Sequence, residues 1–311
     1  MHLGANAVVH RFDVRRGRRV VHRSERRHPH SVSLWYSPHQ PCDLPVQSPR
    51  EREGRRATSL CGAGRLPLVA SGMRNSVIDY AAAEAHGVTV CGTASSSTPP
   101  VELTWALLLG LARGIVTENG ALRSGGPWQS TVGADLHGRR LGLLGLGKIG
   151  ERVARVGLAF GMHVSAWSRN LTKERTAEVG VELAPSKEDL LATSDFVSVH
   201  LALSERTRGL VGAAELALMK PDAYLVNTSR AAIVDQDALL AALHEGRIAG
   251  AGVDVFDVEP LPPGHPMRTA PRLLATPHLG YVSRANYATY YGQAVEDIAA
   301  YLAGAPVRRL P

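Results

Sequence analysis

Three polar residues stand just past predicted strands in the second half of the chain. They are Arg230 in Val226-Asn-Thr-Ser-Arg-Ala, Glu259 in Asp254-Val-Phe-Asp-Val-Glu-Pro, and His278 in Thr276-Pro-His-Leu-Gly. Each has an ordinary reading when taken singly: a histidine beside a proline is commonly structural, and a glutamate before a proline commonly ends a turn. Together they match one chemical need. Reduction of a 2-oxo acid takes a hydride at the carbonyl carbon, a proton at its oxygen and a cation for the carboxylate. His278 suits the proton donor, because imidazole is the side chain that titrates near neutrality. Glu259, hydrogen-bonded to it, would fix the ring and stabilise the imidazolium. Arg230 would bind the carboxylate through its planar fork and polarise the carbonyl.

A second cluster concerns phosphate. The predicted strand Arg140–Leu144 runs directly into Gly145-Leu146-Gly147-Lys148-Ile149-Gly150, and an amphipathic helix follows from about Ile149 to Phe160. Glycine occupies 31 of 311 positions, so the spacing alone is weak evidence. The strand before and the helix after give it meaning: the glycines allow a tight turn and the close approach of a pyrophosphate, which the helix N-terminus then holds. The next strand, Val164–Trp167, ends in Ser168-Arg169-Asn170. An NAD site usually carries Asp or Glu there, on the ribose hydroxyls. A small neutral Ser168 followed by Arg169 instead suits a 2′-phosphate. NADP(H) is therefore favoured over NAD(H), with use of both cofactors as the alternative.

These groups need a scaffold whose strand ends face one crevice. From Leu66 onward strand and helix signals alternate, which predicts parallel βαβ units. Strands are expected at Leu66–Gly72, Val88–Cys91, Arg140–Leu144, Val164–Trp167, Phe196–His200, Tyr224–Asn227, Gly252–Val255 and Leu273–Ala275. Helices are expected at Asp79–His86, Pro99–Ala112, Lys187–Leu191, Ala213–Leu218 and Gln236–Glu245. The stretch from 140 to 275 reads as one doubly wound parallel sheet, of the Rossmann type, with ligands at the carboxyl ends of its strands.

Residues 1–66 read differently. Thirteen arginines, no lysine and five acids leave them at +8, whereas the 22 basic and 23 acidic residues that follow sum to −1. The net +7 thus belongs to the first fifth of the chain. It lacks sustained apolar periodicity, and the only strand-like pieces are Ala7–His10 and Val32–Tyr36. An arginine-rich segment could bind nucleic acid, but an atypical leader is the simpler reading and no nucleic-acid partner is expected. A composition of 44% apolar and 20% charged residues is that of a globular protein. The longest apolar run, Leu103 to Ala112, is about half of what a bilayer requires, so no membrane partner is expected. The three cysteines, Cys42, Cys61 and Cys91, have neither metal-site nor disulfide spacing. No metal and a cytoplasmic location are the expectations.

The stretches Gly72-Met-Arg-Asn, Pro100-Val-Glu-Leu-Thr, Leu144-Gly-Leu-Gly-Lys-Ile-Gly, Asn227-Thr-Ser-Arg, Gly252-Val-Asp-Val-Phe and Thr276-Pro-His-Leu-Gly resemble the D-isomer-specific 2-hydroxyacid dehydrogenases over about residues 66–304. The resemblance implies that Arg230, Glu259 and His278 are catalytic, and that Asp254 meets the nicotinamide amide. It further implies that Thr228 and the segment from His200 and Leu201 to Leu203 line the cofactor, beside Gly145, Gly147, Lys148, Ile149 and Gly150. Ser71, Gly72, Met73 and Arg74 would meet the substrate carboxylate. The implied architecture is a dinucleotide domain at 106–277 and a smaller, discontinuous, flavodoxin-like substrate domain at 66–105 and 278–311. That smaller domain is incomplete at its N-terminus, because 1–65 shows none of the family's first strands. A homodimer formed near Leu103–Gln129 is implied, with glyoxylate or hydroxypyruvate as the first substrates to try and 3-phosphoglycerate chemistry as a further one. A catalytically impaired relative or a nucleotide-sensing regulator of the same fold is the alternative. Ala231 follows Arg230 where the family usually has glycine.

Overall fold

Apolar runs with no polar alternation dictate the centre of the fold, since strands buried on both faces are the mark of a parallel sheet covered by helices. The computed structural model describes residues 11–13, 18–20, 68–73 and 78–311. The expected pieces Ala7–His10 and Val32–Tyr36, together with Cys42, Cys61 and Arg74, lie outside the described residues. The chain divides into two compact units, residues 1–95 with 285–311, and residues 96–284. The boundary before α2 (Thr98–Ala112) keeps that whole helix with the second unit, whereas the sequence reading divided it after residue 105.

The second unit holds seven parallel strands: β5 (Arg140–Leu144), β6 (His163–Trp167), β7 (Glu182–Leu183), β8 (Phe196–Val199), β9 (Tyr224–Asn227), β10 (Gly250–Val253) and β11 (Leu273–Ala275). Their order is β11-β10-β9-β8-β5-β6-β7. The chain steps outward from β5 to β7, then returns to the other side of β5 for β8 to β11, so the switch point lies between β5 and β8. Side chains two apart share a face. Leu141 and Leu143 accordingly pack with Trp105, Leu107, Leu108 and Val153 on one side, while Leu144, Val197, Val199 and Leu225 pack with Leu190, Leu216 and Leu239 on the other. Helix α2 contributes Trp105, Leu107 and Leu108, each nearly or fully buried and contributing about 1.5–3 kcal/mol to folding. The surrounding helices are α3 (Ile115–Arg123), α4 (Lys148–Ala159), α5 (Lys173–Val179), α6 (Lys187–Thr193), α7 (Ala213–Leu218) and α8 (Gln236–His244).

Three differences from the sequence reading have local causes. Strand β10 starts and stops two residues early because Gly250 pairs with Tyr224 and the ladder ends at Val253 with Asn227. Val255 and Phe256 are buried beyond it, so burial prolongs the apolar run past the strand. Helix α3 was not anticipated: it begins after Gly114 at φ 57° and buries no residue, so it carries no apolar stripe. Helix α5 was missed although Thr172 caps it by accepting from the Arg175 N–H at 3.3 Å.

In the first unit β3 (Leu68–Ala70) pairs in parallel with β4 (Val90–Gly92), and α1 (Tyr80–Ala85) connects them. The Asp79 carboxylate caps α1 by accepting from the Ala82 N–H at 2.9 Å. Helix α9 (Arg284–Leu302) and the C-terminal tail complete it, with the Leu310 N–H donating to the Val90 carbonyl. Two short strands, β1 (Arg11–Asp13) and β2 (Arg18–Val20), pair antiparallel in the leader. They do so where the side-chain pattern gave no strand signal. Among the described residues no single helix is long and apolar enough to cross a membrane.

Candidate active site

Every strand from β5 to β11 except β7 delivers a polar or glycine residue of interest at its carboxyl end, so these residues share one edge of the sheet. At β5 the chain turns through Gly145, whose φ of 108° only glycine adopts readily and whose N–H donates to the Trp167 carbonyl at 2.9 Å. Gly147 then caps α4 with no side-chain hydrogen bond, leaving the first-turn N–H groups, which include those of Lys148 and Ile149, to an outside acceptor. A Cβ on Gly147 would have nothing within 4 Å, whereas one on Gly150 would lie 2.1 Å from the Gly145 carbonyl oxygen. The turn is therefore closed within the chain and open outward. An anion of pyrophosphate size fits this cradle and the uncapped helix start.

At the end of β6, Ser168 is half-buried and Arg169 is exposed, with no carboxylate partner among the described residues. The nearby Arg175 is committed elsewhere, to Glu151 at 2.5 Å and Glu178 at 2.9 Å. The Arg175 bond to Glu151, with two more from Arg155, holds the Glu151 carboxyl below its usual range.

Past β8, His200 Nε2 lies 2.9 Å from Ser198 Oγ, and Leu201 follows, its carbonyl accepting from Ser229 Oγ at 2.5 Å. Burial lowers the His200 pKa from 6.5 to about 4. The unfolded chain thus takes a proton that the folded one refuses. Stability from this source is complete above about pH 6.5 and is lost as pH falls toward about 4. The loss should be on the order of 1–3 kcal/mol, toward the lower end because the residue keeps some solvent contact. Urea midpoints at pH 7 and pH 4.5 should converge in His200→Gln relative to the parent chain. An unchanged gap would exclude His200 as the source.

At the end of β9 the buried Asn227 organises the loop that carries Arg230. Its Nδ2 donates to the Arg230 carbonyl and its Oδ1 accepts from the Ser229 N–H, both at 3.0 Å. Arg230 is exposed, and its guanidinium donates to the Ser229 carbonyl at 2.7 Å. Ala231 opens a short 3-10 turn, Ala231–Ile233, and is not among the residues at positive φ. The torsional freedom of glycine is not needed at that position.

The ends of β10 and β11 meet. Glu259 Oε1 accepts from the Phe256 N–H at 2.9 Å, and its Oε2 lies 2.7 Å from His278 Nδ1. A carboxylate can only accept, so the proton sits on Nδ1 and Nε2 is left for another partner. Both side chains are about a quarter exposed, enough to reach a ligand. His278 itself adopts φ 52°, a left-handed conformation rare for a residue with a side chain. What holds it there is Asp254, 1% exposed at the end of β10. Its Oδ1 accepts from Thr276 Oγ1 at 2.6 Å and the Leu279 N–H at 2.7 Å, and its Oδ2 accepts from the Gly280 N–H at 2.7 Å. Donors on both sides of His278 thus converge on one carboxylate, whose pKa burial raises against the opposing pull of those hydrogen bonds. Tyr281 adds an edge contact to the imidazole, with ring centroids 5.3 Å apart.

The structure thus joins Glu259 to His278 and gathers Arg230, Thr228, Asp254 and the glycine turn along one sheet edge. Ser71, Gly72 and Met73 belong to the other unit, where Gly72 (φ 82°) donates to Thr93 Oγ1 at 2.7 Å. Two contributors escaped the sequence reading. Asn227 had a signal, since an Asn two residues before its partner favours a side-chain-closed turn. Tyr281 had none, because nothing in its spacing marks a ring contact. Among the described residues no group of three His, Cys, Asp or Glu side chains could hold a metal.

A doubly wound sheet with a glycine turn at β5 and a carboxylate–imidazole pair across its edge defines a nicotinamide-dependent dehydrogenase. This chain belongs to the D-isomer specific 2-hydroxyacid dehydrogenase family, whose NAD binding domain matches residues 105–280. It is an oxidoreductase on CH–OH donors that works with NAD and interconverts 2-oxo acids and D-2-hydroxy acids. It is 40% identical over 272 residues to a glyoxylate reductase of Aeropyrum pernix, covering 85% of this chain and 77% of that one. It is 36% identical over 255 residues to a D-3-phosphoglycerate dehydrogenase of Bacillus subtilis, covering 81% of this chain but only 47% of the relative, about half its length. The crystal structure of a phosphoglycerate oxidoreductase from Vibrio cholerae superposes with a TM-score of 0.72 at 36% identity, covering 75% of this chain and 76% of the other.

Proposed function

We propose that this chain reduces glyoxylate or hydroxypyruvate to the corresponding hydroxy acid, with His278, Glu259 and Arg230 as the reacting set. The observation that carries this reading is the 2.7 Å contact between Glu259 Oε2 and His278 Nδ1, at the same sheet edge as the glycine turn. The turn of Gly145, Gly147 and Gly150 would hold the pyrophosphate, with Lys148 and Ile149 at the helix start. Thr228, His200, Leu201 and Asp254 would line the rest of the dinucleotide. The nicotinamide, when bound and reduced, supplies the hydride for the carbonyl carbon. His278 gives the Nε2 proton to the carbonyl oxygen, so that C=O becomes CH–OH. Glu259 stabilises the imidazolium before that transfer and fixes the ring during it. Arg230 binds the substrate carboxylate and draws charge from the carbonyl. The family resemblance implies a substrate role for Ser71, Gly72, Met73 and Arg74 as well.

NADPH is the proposed reductant, because Ser168 brings no charge against a 2′-phosphate and the exposed, uncommitted Arg169 offers it a cation. We further propose a homodimer formed around α3 and the segment after it, where Ile115, Val116, Trp128 and Val132 are more than half exposed. The cytoplasm, with its nicotinamide pool, is the proposed location.

The test is loss of reduced-nicotinamide absorbance with NADPH and NADH separately, against glyoxylate, hydroxypyruvate and phosphohydroxypyruvate. Turnover is expected with the first two acids, and faster at low cofactor with NADPH. Arg169→Ala should weaken NADPH about tenfold, the size of one lost charge-assisted hydrogen bond, and leave NADH nearly unchanged. Equal loss for both cofactors would remove Arg169 from 2′-phosphate recognition.

A further inference from the structure

Thr104 lies in the middle of α2 and is completely buried. Its Oγ1 is 2.8 Å from the Pro100 carbonyl oxygen and 2.8 Å from Thr228 Oγ1. Two oxygen–oxygen contacts this short each need a proton between them. The carbonyl has none and Thr104 has one. If Thr104 gave its proton to Thr228, two oxygens with only lone pairs would face each other at Pro100. Thr104 therefore donates to the Pro100 carbonyl, one turn back along its helix, and Thr228 donates to Thr104. The hydroxyl of Thr228 is then spent as a donor and can only accept from anything else that reaches it.

Thr228 is half-buried at the carboxyl end of β9, directly before Ser229 and Arg230. Strands β5, β8 and β9 are consecutive neighbours, which sets β9 roughly 10 Å from the glycine turn. With the pyrophosphate at that turn and one nucleoside half toward Ser168 and Arg169 at β6, the other half runs over β8 and β9. That half carries N–H donors on its carboxamide and O–H donors on its ribose.

We propose that Thr104 is a positioning residue for the dinucleotide. By taking the only proton of Thr228, it turns that hydroxyl into a fixed acceptor for an N–H or O–H donor on the nicotinamide nucleoside half. The inference rests on the dinucleotide reading of the sheet edge given above. Without Thr104, the Thr228 proton loses its acceptor and turns toward the incoming donor. The chain thus uses one buried hydroxyl to set the polarity of another.

The experiment is equilibrium binding of NADH, ADP-ribose and ADP to the full chain, followed by tryptophan quenching or calorimetry. Thr104→Val and Thr228→Val should each weaken NADH five- to twentyfold, with ADP unchanged within twofold as the control for an intact fold. The double variant should be no worse than the poorer single one, because both remove the same interaction. Thr104→Ser should restore parental affinity. ADP-ribose losing affinity alongside NADH would assign the donor to the ribose, and a loss confined to NADH would assign it to the carboxamide. Unchanged NADH affinity in the single variants, equal weakening of ADP, or additive losses in the double variant would each overturn the relay while leaving the dinucleotide reading intact. Failure of the folded parent chain to bind either NADH or ADP would overturn both.

Discussion

Replacing His278 by alanine should lower kcat by two to four orders of magnitude while changing NADH affinity less than twofold. The size follows from the role: a positioned general acid is worth roughly 10²–10⁴ in rate. The separation from binding follows from geometry, since the His278 side chain is tied to Glu259 and Tyr281. A complication is the backbone, which at φ 52° suits alanine less well than histidine or asparagine. His278→Asn removes it, because asparagine tolerates the left-handed region and cannot supply the proton. Both variants should therefore be slow, and the asparagine form should melt closer to the parent. Glu259→Gln should be slow by a smaller factor, since it keeps an acceptor for Nδ1–H but removes the charge that stabilises imidazolium. Steady-state rates and thermal melts on the same samples decide the matter. A His278→Asn enzyme within tenfold of the parent rate would remove His278 as the acid.

The legibility of this molecule follows the length scale of each feature. Strand Arg140–Leu144 and the glycine turn after it were readable because their signal is local: an apolar run, then Gly-x-Gly-x-x-Gly, then an amphipathic helix. The pairing of Glu259 with His278 was readable only as chemistry, from residue types that make sense together, since 19 residues separate them in sequence. The support beneath them was not readable. Asp254 is hydrogen-bonded to Thr276, Leu279 and Gly280, and no periodicity announces that a carboxylate will gather those N–H groups. The same holds for Thr104 and Thr228, which meet at 2.8 Å across 124 positions. Helix α3 escaped for the opposite reason, as it buries nothing and leaves no stripe to detect. The leader 1–66 stood out by charge, a compositional property that carries no register.

The phosphate turn admits a sharper test than loss of activity, because two of its glycines are constrained from different directions. Gly150 faces inward: a Cβ there would lie 2.1 Å from the Gly145 oxygen and 3.1 Å from its carbonyl carbon, both main-chain atoms that no rotamer change can move. Gly150→Ala must therefore shift the turn or the first turn of α4. The expected result is a lower melting temperature and dinucleotide affinity reduced at least fiftyfold. Gly147 faces outward, with nothing of the protein within 4 Å of a Cβ and with φ −79°, ψ −164°, which alanine adopts freely. Gly147→Ala should fold and melt within a few degrees of the parent, giving up only the modest N-cap preference of glycine over alanine. Its added methyl would instead occupy space that a pyrophosphate needs against the helix start. Dinucleotide affinity should fall ten- to a hundredfold with stability nearly intact. That contrast is the signature of a ligand cradle, since a turn serving only the fold would respond at Gly150 and ignore Gly147. Parental affinity in Gly147→Ala would place the pyrophosphate away from this turn.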